Sequence, residues 1–447
     1  MNNSKVAARS PSSVRGASTS VGALFESMPL TSAHWRAGLV LFLVFVVESW
    51  EMMVLVLSGS SVSADLHLSG PELGSLIGAI FLGMIPGAFL WGRLADLLGR
   101  RKSVVLSLAG YGVISLASAI SPDYQILWFM RMLCGVVLSG VLVITYPYFE
   151  ELLPVRVRGR AAVYLASGWP VGLLISVGVA YQFGGYGWRW PVAISSLAGL
   201  WAIAVWRLVP ESPYWLHRKG RNAEALAVMT VLSKGRINSE CSLEAPMAET
   251  SAPYGDLLRV PQRQRTVVQL IVNFCFSWGY WALTAWMPVL LAKKGLSAPQ
   301  GYGFIAISAL FMFPGYASAS FLTAQWGRKK VMLSYVAMAT AAGFGLASAG
   351  SLYAMYGWNF ALSFFSLGAW GVWNTWMGEI YDTQLRTVGY SWGIAAQRVA
   401  NAIAPAFVGA LVASSGFAGT VGCIACFLAA TFVALLFLPE TEGHILN

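Results

Sequence analysis

GRLADLLGRRK, residues Gly92–Lys102, returns 228 positions later as SFLTAQWGRKK, residues Ser320–Lys330. Two further echoes keep this distance to within one residue. EELLPVRVRGR (Glu150–Arg160) is answered by GEIYDTQLRTV (Gly378–Val388) at 228, which matches Glu151 to Glu379 and Arg158 to Arg386. PES at Pro210 is answered by PET at Pro439, at 229. Echoes at one offset indicate a duplicated unit, so the chain is expected to fold as two similar halves.

Composition says what the unit is made of. The 447 residues are 57% hydrophobic and only 11% charged, against about 25% charged in soluble domains. Twelve apolar runs approach the ~20 residues that a bilayer span needs. Six precede a polar insert: Ala37–Ser58, Leu73–Trp91, Ser103–Ile120, Tyr124–Phe149, Ala161–Tyr181 and Trp190–Trp206. Six follow it: Thr266–Ala292, Tyr302–Trp326, Val331–Gly350, Leu352–Met377, Val388–Ser414 and Thr420–Leu438. They are numbered spans 1–12 below. They are expected to be helices, because the bilayer core offers backbone groups no water. The fold class is an all-α membrane protein, twelve transmembrane helices in two pseudo-symmetric six-helix bundles.

With the N-terminus in the cytoplasm, 24 of the 29 Lys and Arg residues fall in cytoplasmic segments; Arg189, Lys293 and Lys294 fall outside and two lie within spans. This bias places both termini inside. It also explains the net charge of +10 without nucleic acid. The expected division is a disordered tail 1–36, a first bundle 37–208, a linker 209–265, a second bundle 266–438 and a C-terminus 439–447. The tail is Ser-rich with Lys5, Arg9 and Arg15; a transit peptide would share that composition, and no cleavable signal is expected. In the linker, NAEALAVMTVLSK (Asn222–Lys234) fits one amphipathic helix. Cys423 and Cys426 make a CxxC in span 12, read as two small buried residues and not a metal site, since no His is near.

These motifs resemble the major facilitator superfamily. Gly92, Leu94, Asp96, Gly99, Arg100 and Arg101 match its G-x-L-A-D-x-x-G-R-R loop; Arg131 and Gly135 match in span 4, and Glu151, Pro154, Arg158 and Gly159 match E-x-x-P-x-x-x-R-G. GWRW (Gly187–Trp190) and PESPYWL (Pro210–Leu216) are similar to the sugar-porter side. ESWEMMVL in span 1 and LLRVPQRQRTVV (Leu257–Val268) resemble the synaptic-vesicle-protein-like, niacin and aromatic-acid symporter branches. The sugar-binding glutamines of true sugar porters are not evident in span 7. The resemblance implies transport by alternating access, with a cytoplasmic gate at Gly92, Asp96, Gly99, Arg100, Arg101, Glu151, Arg158, Arg328, Glu379 and Arg386. Asp96 with Arg100, and Glu379 with Arg386, are expected as charge pairs across the inner face. Ala324 and Ser320 stand where the first half has Asp96 and Gly92, so the second gate is expected to be weaker.

Charges inside the spans are few: Glu48, Glu51, Arg131 and Arg398, while all four histidines lie outside the twelve runs. A buried ionisable group in a span is costly and usually functional. Glu48 and Glu51, three apart, share roughly one helix face. Glu51 and Arg131 each lie about 10 Å from the outer ends of their helices at ~1.5 Å per residue, so they can meet. The pair can load and release a proton, or it can fix helix packing. Arg398 has no acid in spans 7–12 to pair with. It is open to a substrate carboxylate, to Glu48 or Glu51 across a cavity, or to carbonyls freed near Pro405. Asn401 shares its face, and Tyr280, Trp281, Trp370 and Asn374 are candidates to line a cavity for a flat ligand.

The resulting expectation is a proton-coupled symporter of a small organic anion, an aromatic or heteroaromatic monocarboxylate. It is no enzyme, needs no cofactor beyond the proton gradient, and works as a monomer in the cell's inner membrane. Alternatives are a sugar porter, a nutrient sensor that binds without transport, and a multidrug exporter. Such exporters carry G-x-x-x-G-P-x-x-G-G in span 5, where this chain has only SGWPVG (Ser167–Gly172).

Overall fold

The computed structural model describes residues 20–237, 243–244, 257, 259, 262–381 and 383–441. Lys5, Arg9 and Arg15 of the tail, much of the linker after residue 237 and residues 442–447 lie outside the described residues. Among the described residues the regular elements are all helical. Ten helical runs are long and apolar enough to cross a membrane. One of them, Val388–Leu435, turns at Gly416 (φ +61°) and holds spans 11 and 12. The 28-residue helix Leu352–Glu379 supplies span 10, which completes the expected twelve.

The duplication reaches into the helix ends, where each sequence must satisfy the backbone N–H groups that a helix leaves free. Span 2 (Gly70–Leu98) starts with Pro71 in its first turn and a backbone N–H of Ser69 donating to Glu72 at 2.8 Å. Span 8 (Ala298–Trp326) repeats this with Pro299, Ser297 and Gln300 at 2.9 Å. Asp123 caps span 4 (Tyr124–Glu151) through the Ile126 N–H at 2.8 Å, and Ser351 caps span 10 through that of Ala354 at 3.2 Å. Each such cap contributes about 1 kcal/mol.

The PES and PET echoes acquire a physical meaning here. Glu211, just past span 6, accepts from the N–H groups of Arg100 (2.9 Å) and Arg101 (3.1 Å) at the start of span 3. Glu440, just past span 12, does the same for Arg328 and Lys329, both at 3.1 Å, at the start of span 9. A carboxylate at a helix N-terminus also meets the positive end of the macrodipole. Gly99 is required twice over. Its φ is +98°, and a Cβ there would stand 2.3 Å from the Glu211 carboxylate.

Two expectations need correction. The disorder expected over 1–36 does not hold from residue 20: Val21–Ser27 is a helix, capped by Ser20, and span 1 begins at Ser32 with a Thr31–His34 capping box. Val21 and Phe25 are the reason. Phe25 is fully buried and stacks on Tyr214 of the linker at 5.5 Å, so the Ser-rich composition hid an apolar anchor. His34 accordingly lies in the first turn of a spanning helix. The CxxC pair is the second case, since Cys423 is half-buried and Cys426 exposed on span 12. The linker helix forms as expected, Asn222–Ser233, with Ala225, Leu226, Met229 and Leu232 on its buried face.

Within the halves, span 2 packs on span 4, span 1 on span 5, span 7 on span 11 and span 8 on span 10. Span 2 meets span 11 and span 5 meets span 8 across the two halves. At the first seam, a Cβ on Gly74 would lie 2.1 Å from the Pro405 carbonyl, so only glycine lets the backbones come this close. Span 8 also reaches span 1, where Tyr302 Oη donates to Leu57 O at 3.4 Å. These contacts gather at the end opposite the basic loops.

Candidate functional site

Glu51 and Arg131 meet, as their similar depths allow. Arg131 forms an ion pair with Glu51 Oε1, and Cys134 Sγ lies 3.5 Å from the same oxygen. Tyr111 Oη on span 3 is 2.8 Å from Oε2 and Ser195 Oγ on span 6 is 3.0 Å away. All these partners belong to the first half, and Glu51 has no solvent exposure. The carboxylate is satisfied on both oxygens and pins span 1 to spans 3, 4 and 6.

Glu48, one turn earlier, is placed differently. It is 3% exposed, and its Oε2 is buried without a hydrogen-bond partner. The charge acting on it is Arg398, on span 11 of the other half. Arg398 is half-buried, senses Glu48 in return, and forms no ion pair or hydrogen bond among the described residues. Around them stand the phenols of Tyr146 (span 4), Tyr316 (span 8) and Tyr390 (span 11), all within electrostatic reach of one another or of these charges. An acid and a base on opposite bundles thus act on each other without forming an ion pair.

The aromatic candidates divide. Tyr280 and Trp370 are half-buried and stacked, centroids 6.1 Å apart at 27°. Trp370 leans on Phe276 at 4.9 Å, and Trp169 Nε1 donates to Tyr280 Oη at 3.2 Å. Asn374, one turn from Trp370, is half-buried and makes no hydrogen bond among the described residues. Trp281 and Asn401, expected as cavity contacts, are instead part of the wall. Trp281 is edge-on to Phe81 (4.9 Å) and Trp169 (5.3 Å), which belong to the other half. Asn401, 1% exposed, accepts from Trp281 Nε1 and donates to the Gln397 carbonyl, both at 3.2 Å. Their polar atoms are consumed in holding spans 7 and 11 together.

A buried amide chain was not foreseen. Gln397 Nε2 (2.6 Å) and Trp373 Nε1 (2.9 Å) both donate to Asn273 Oδ1. Gln269, one turn from Asn273, accepts from Tyr381 Oη and donates to Gly389 O at 3.2 Å. It ties spans 7, 10 and 11. The signal was present: Gln269 and Asn273 are polar residues four apart in an apolar run, but a search for charges passes over them. Beyond Tyr280, toward the closed end, lies a cavity of about 60 Å³ lined by Met53, Leu173, Gly279, Ser308 and Asn359 among others. Asn359 Nδ2 donates to Ser308 Oγ there at 2.6 Å.

At the basic end the gate pairs stay within their halves instead of crossing. Arg100 binds Asp96 (2.9 Å) and Glu151 (3.3 Å). Arg328, not Arg386, takes Glu379, with Nη2 at 2.7 Å from Oε1, and Thr441 Oγ1 adds a bond of 2.9 Å. Arg386 keeps two buried nitrogens, Nε and Nη2, without a partner. Arg158 donates to Leu153 O (3.1 Å) and Tyr214 Oη (3.0 Å) and forms no ion pair among the described residues. Arg101 lies over the Trp206 ring at 4.6 Å. A charge pair across the inner face needs the bundles closer than they stand here. No group of three metal-binding side chains occurs among the described residues.

Known proteins resemble this chain over most of its length. The niacin transporter NiaP of Acinetobacter baylyi is 28% identical over 428 residues, 94% of this chain and 98% of that protein. The putative niacin/nicotinamide transporter NiaP of Bacillus subtilis is 28% identical over 388 residues, 84% of this chain and 90% of that protein. The inward-open xylose transporter XylE of E. coli superposes with a TM-score of 0.76 at 18% identity, covering 92% of this chain and 98% of that one. A family model described as Major Facilitator Superfamily matches residues 39–347, more than half of the sequence, and the chain belongs to that superfamily as a multi-pass integral membrane transporter.

Proposed function

We propose that the protein is a proton-coupled symporter of a small aromatic or heteroaromatic monocarboxylate. The observation that carries this reading is Arg398, a half-buried guanidinium that forms no hydrogen bond or ion pair among the described residues, in the same half as the half-buried Tyr280–Trp370 stack and Asn374. An uncompensated cation in a span is costly. Its planar fork suits a carboxylate bidentately, and the stacked rings suit a flat ligand. The NiaP relatives, one named a niacin transporter and the other a putative niacin/nicotinamide transporter, support a small heteroaromatic substrate, and niacin is a ring carboxylate. Proton handling falls among Glu48, Glu51 and Arg131, the charged groups of the first half's spans.

The two halves rock about the site by alternating access. The seams at spans 2–11 and 5–8 close the outer side, the basic end faces the cytoplasm, and the conformation is inward-facing. Both termini are cytoplasmic, the membrane is the inner membrane, and the carrier acts as a monomer.

The test is binding to purified, reconstituted protein of a carboxylate panel, nicotinate and benzoate included, with the matching amides. Arg398→Ala should lose about tenfold to hundredfold in carboxylate affinity, the effect of a charge-assisted hydrogen bond of ~1.5–3 kcal/mol. Arg398→Lys, which keeps the charge but not the fork, should lose less. The amides should bind poorly to wild type and lose little more. Equal losses for acid and amide would make Arg398 a packing residue and end this reading.

A further inference from the structure

Charge conservation across the transport cycle restricts how the two facing residues can work. A carrier must cross the low-dielectric region both loaded and empty, and an unbalanced charge there is expensive in either state. Glu51 cannot balance Arg398. It is enclosed in the first half, with Arg131, Tyr111, Ser195 and Cys134 around its two oxygens. Glu48 can, because one of its oxygens is unpartnered and Arg398 is the charge that acts on it.

We propose that Glu48 is the internal counter-anion of Arg398 in the empty carrier, displaced by protonation when a substrate carboxylate takes its place. The proposal rests on the anion reading given above. In the empty carrier, ionised Glu48 and Arg398 sum to zero. When a carboxylate arrives, two anions compete for one guanidinium, and like charges a few ångströms apart do not both stay ionised. One proton adds to Glu48, and the substrate carboxylate pairs with Arg398, so the loaded site is again neutral. One proton therefore enters with each carboxylate, and transport is electroneutral. The residues lie on different bundles, so each half-cycle changes their separation.

The other titratable or charged groups facing Glu48 do not take over this role. Tyr146 on span 4 and Tyr390 and Tyr316 on spans 11 and 8 are phenols, neutral in the working range. Tyr280 of span 7 is likewise a phenol, and its Oη accepts from Trp169 Nε1. Glu51 and Arg131 cancel each other, and Glu150, at the basic end of span 4, acts on Tyr146 and Tyr390 but is not among the charges acting on Glu48. The Glu51–Arg131 pair is then the fixed support of span 1, and Glu48 is the residue that exchanges.

Two measurements test this, one without substrate. Spin labels on exposed positions 93 and 325, one per half at the basic end, report their separation in the empty protein. Wild type should shift toward shorter distances from pH 6 to pH 8.5, as ionised Glu48 draws Arg398 in, and Glu48→Gln and Arg398→Gln should each remove the shift. The second measurement is binding of nicotinate or benzoate between pH 6 and pH 8.5, where both are already anions. Wild-type affinity should fall about tenfold per pH unit once Glu48 ionises, the slope for one linked proton. Glu48→Gln should bind with a flat profile and turn electroneutral, pH-driven uptake into electrogenic anion movement that the pH gradient no longer drives and an inside-negative membrane potential opposes. A wild-type pH dependence of the labels, or of binding, that persists in Glu48→Gln overturns the assignment. If no carboxylate binds but the labels shift as described, the anion substrate fails while the Glu48–Arg398 counter-charge stands.

Discussion

The two halves share one backbone plan and differ in what they bury at its matching points. Position 51 holds a glutamate and position 131 an arginine; 228 residues on, the same places hold Gly279 and Asn359. Where the first half has an ion pair with three further polar contacts, the second has a small cavity and a neutral Asn359–Ser308 bond. By contrast the caps are retained in kind: Ser69–Glu72 against Ser297–Gln300, Asp123 against Ser351, Glu211 against Glu440. Features every spanning helix needs are kept twice. A buried charge network is kept once, which is expected if it serves a task that one half can perform for both.

The strongest way to break this comparison is to remove the charge. Glu51→Gln leaves Arg131 in a sealed site without its counter-ion, and breaking a buried pair in this way costs about 3–5 kcal/mol. Asn359→Leu in the second half removes one neutral hydrogen bond, worth about 1 kcal/mol. Thermal unfolding in detergent should therefore drop several times further for Glu51→Gln. The double change Glu51→Leu with Arg131→Met should recover much of the loss, because an apolar pair of similar volume escapes the desolvation cost. Comparable shifts for Glu51→Gln and Asn359→Leu would mean that the network carries no special weight in the first half.

That network also marks how far the sequence could be read. The duplication and the twelve spans were legible in the echoes and apolar runs, and helix rise and span length put Glu51 and Arg131 at depths where they could meet. Spacing could not separate the roles of Glu48 and Glu51. They are 60° apart around one helix, and the difference between a saturated and an unpartnered carboxylate lies in Tyr111 and Ser195, which arrive from spans 3 and 6. Trp281 and Asn401 show the opposite failure. Both have the chemistry of ligand contacts, yet they satisfy each other across spans 7 and 11. Phe25 was hidden by its Ser-rich surroundings, since its partner Tyr214 is nearly two hundred positions away. The gate arginines match the family motif in type, but which acid each one meets depends on the distance between bundles, and a motif does not carry that.

A gentler probe asks whether the retained features are equivalent. Glu211→Gln and Glu440→Gln each replace a carboxylate by a neutral amide at a helix N-terminus that donates two backbone N–H groups to it. Losing the cap charge and part of the hydrogen bonding should cost about 0.5–2 kcal/mol in each half. The two variants should lower the unfolding temperature by similar amounts. A loss confined to Glu211→Gln would show that the PES and PET segments, though alike in sequence, have drifted apart in function.

The smallest expected effect lies at the closed end, where the halves tie corresponding loops by different physics. In the first half Asp65 accepts from Trp188 Nε1 at 3.0 Å and pairs with Arg189. These hydrogen bonds, first from Trp188 and then from Arg189, hold the Asp65 carboxyl below its ordinary range. At the matching place the second half has Lys293, Lys294 and Phe417, with the Lys294 ammonium 4.9 Å from the Phe417 ring centroid. A carboxyl whose folded value is depressed contributes stability above its unfolded value, near pH 4, and loses it as pH falls through the lower folded value. The cation–π contact involves no group that titrates in that window. Both ties are exposed, so each is worth no more than about 1 kcal/mol. Asp65→Asn should thus lower the unfolding temperature slightly at pH 7 and converge on wild type toward pH 3. Lys294→Met should lower it slightly and equally at both. If the Asp65→Asn deficit stayed undiminished in acid, the first-half tie would owe its strength to shape and not to charge, and the contrast between the two loops would disappear.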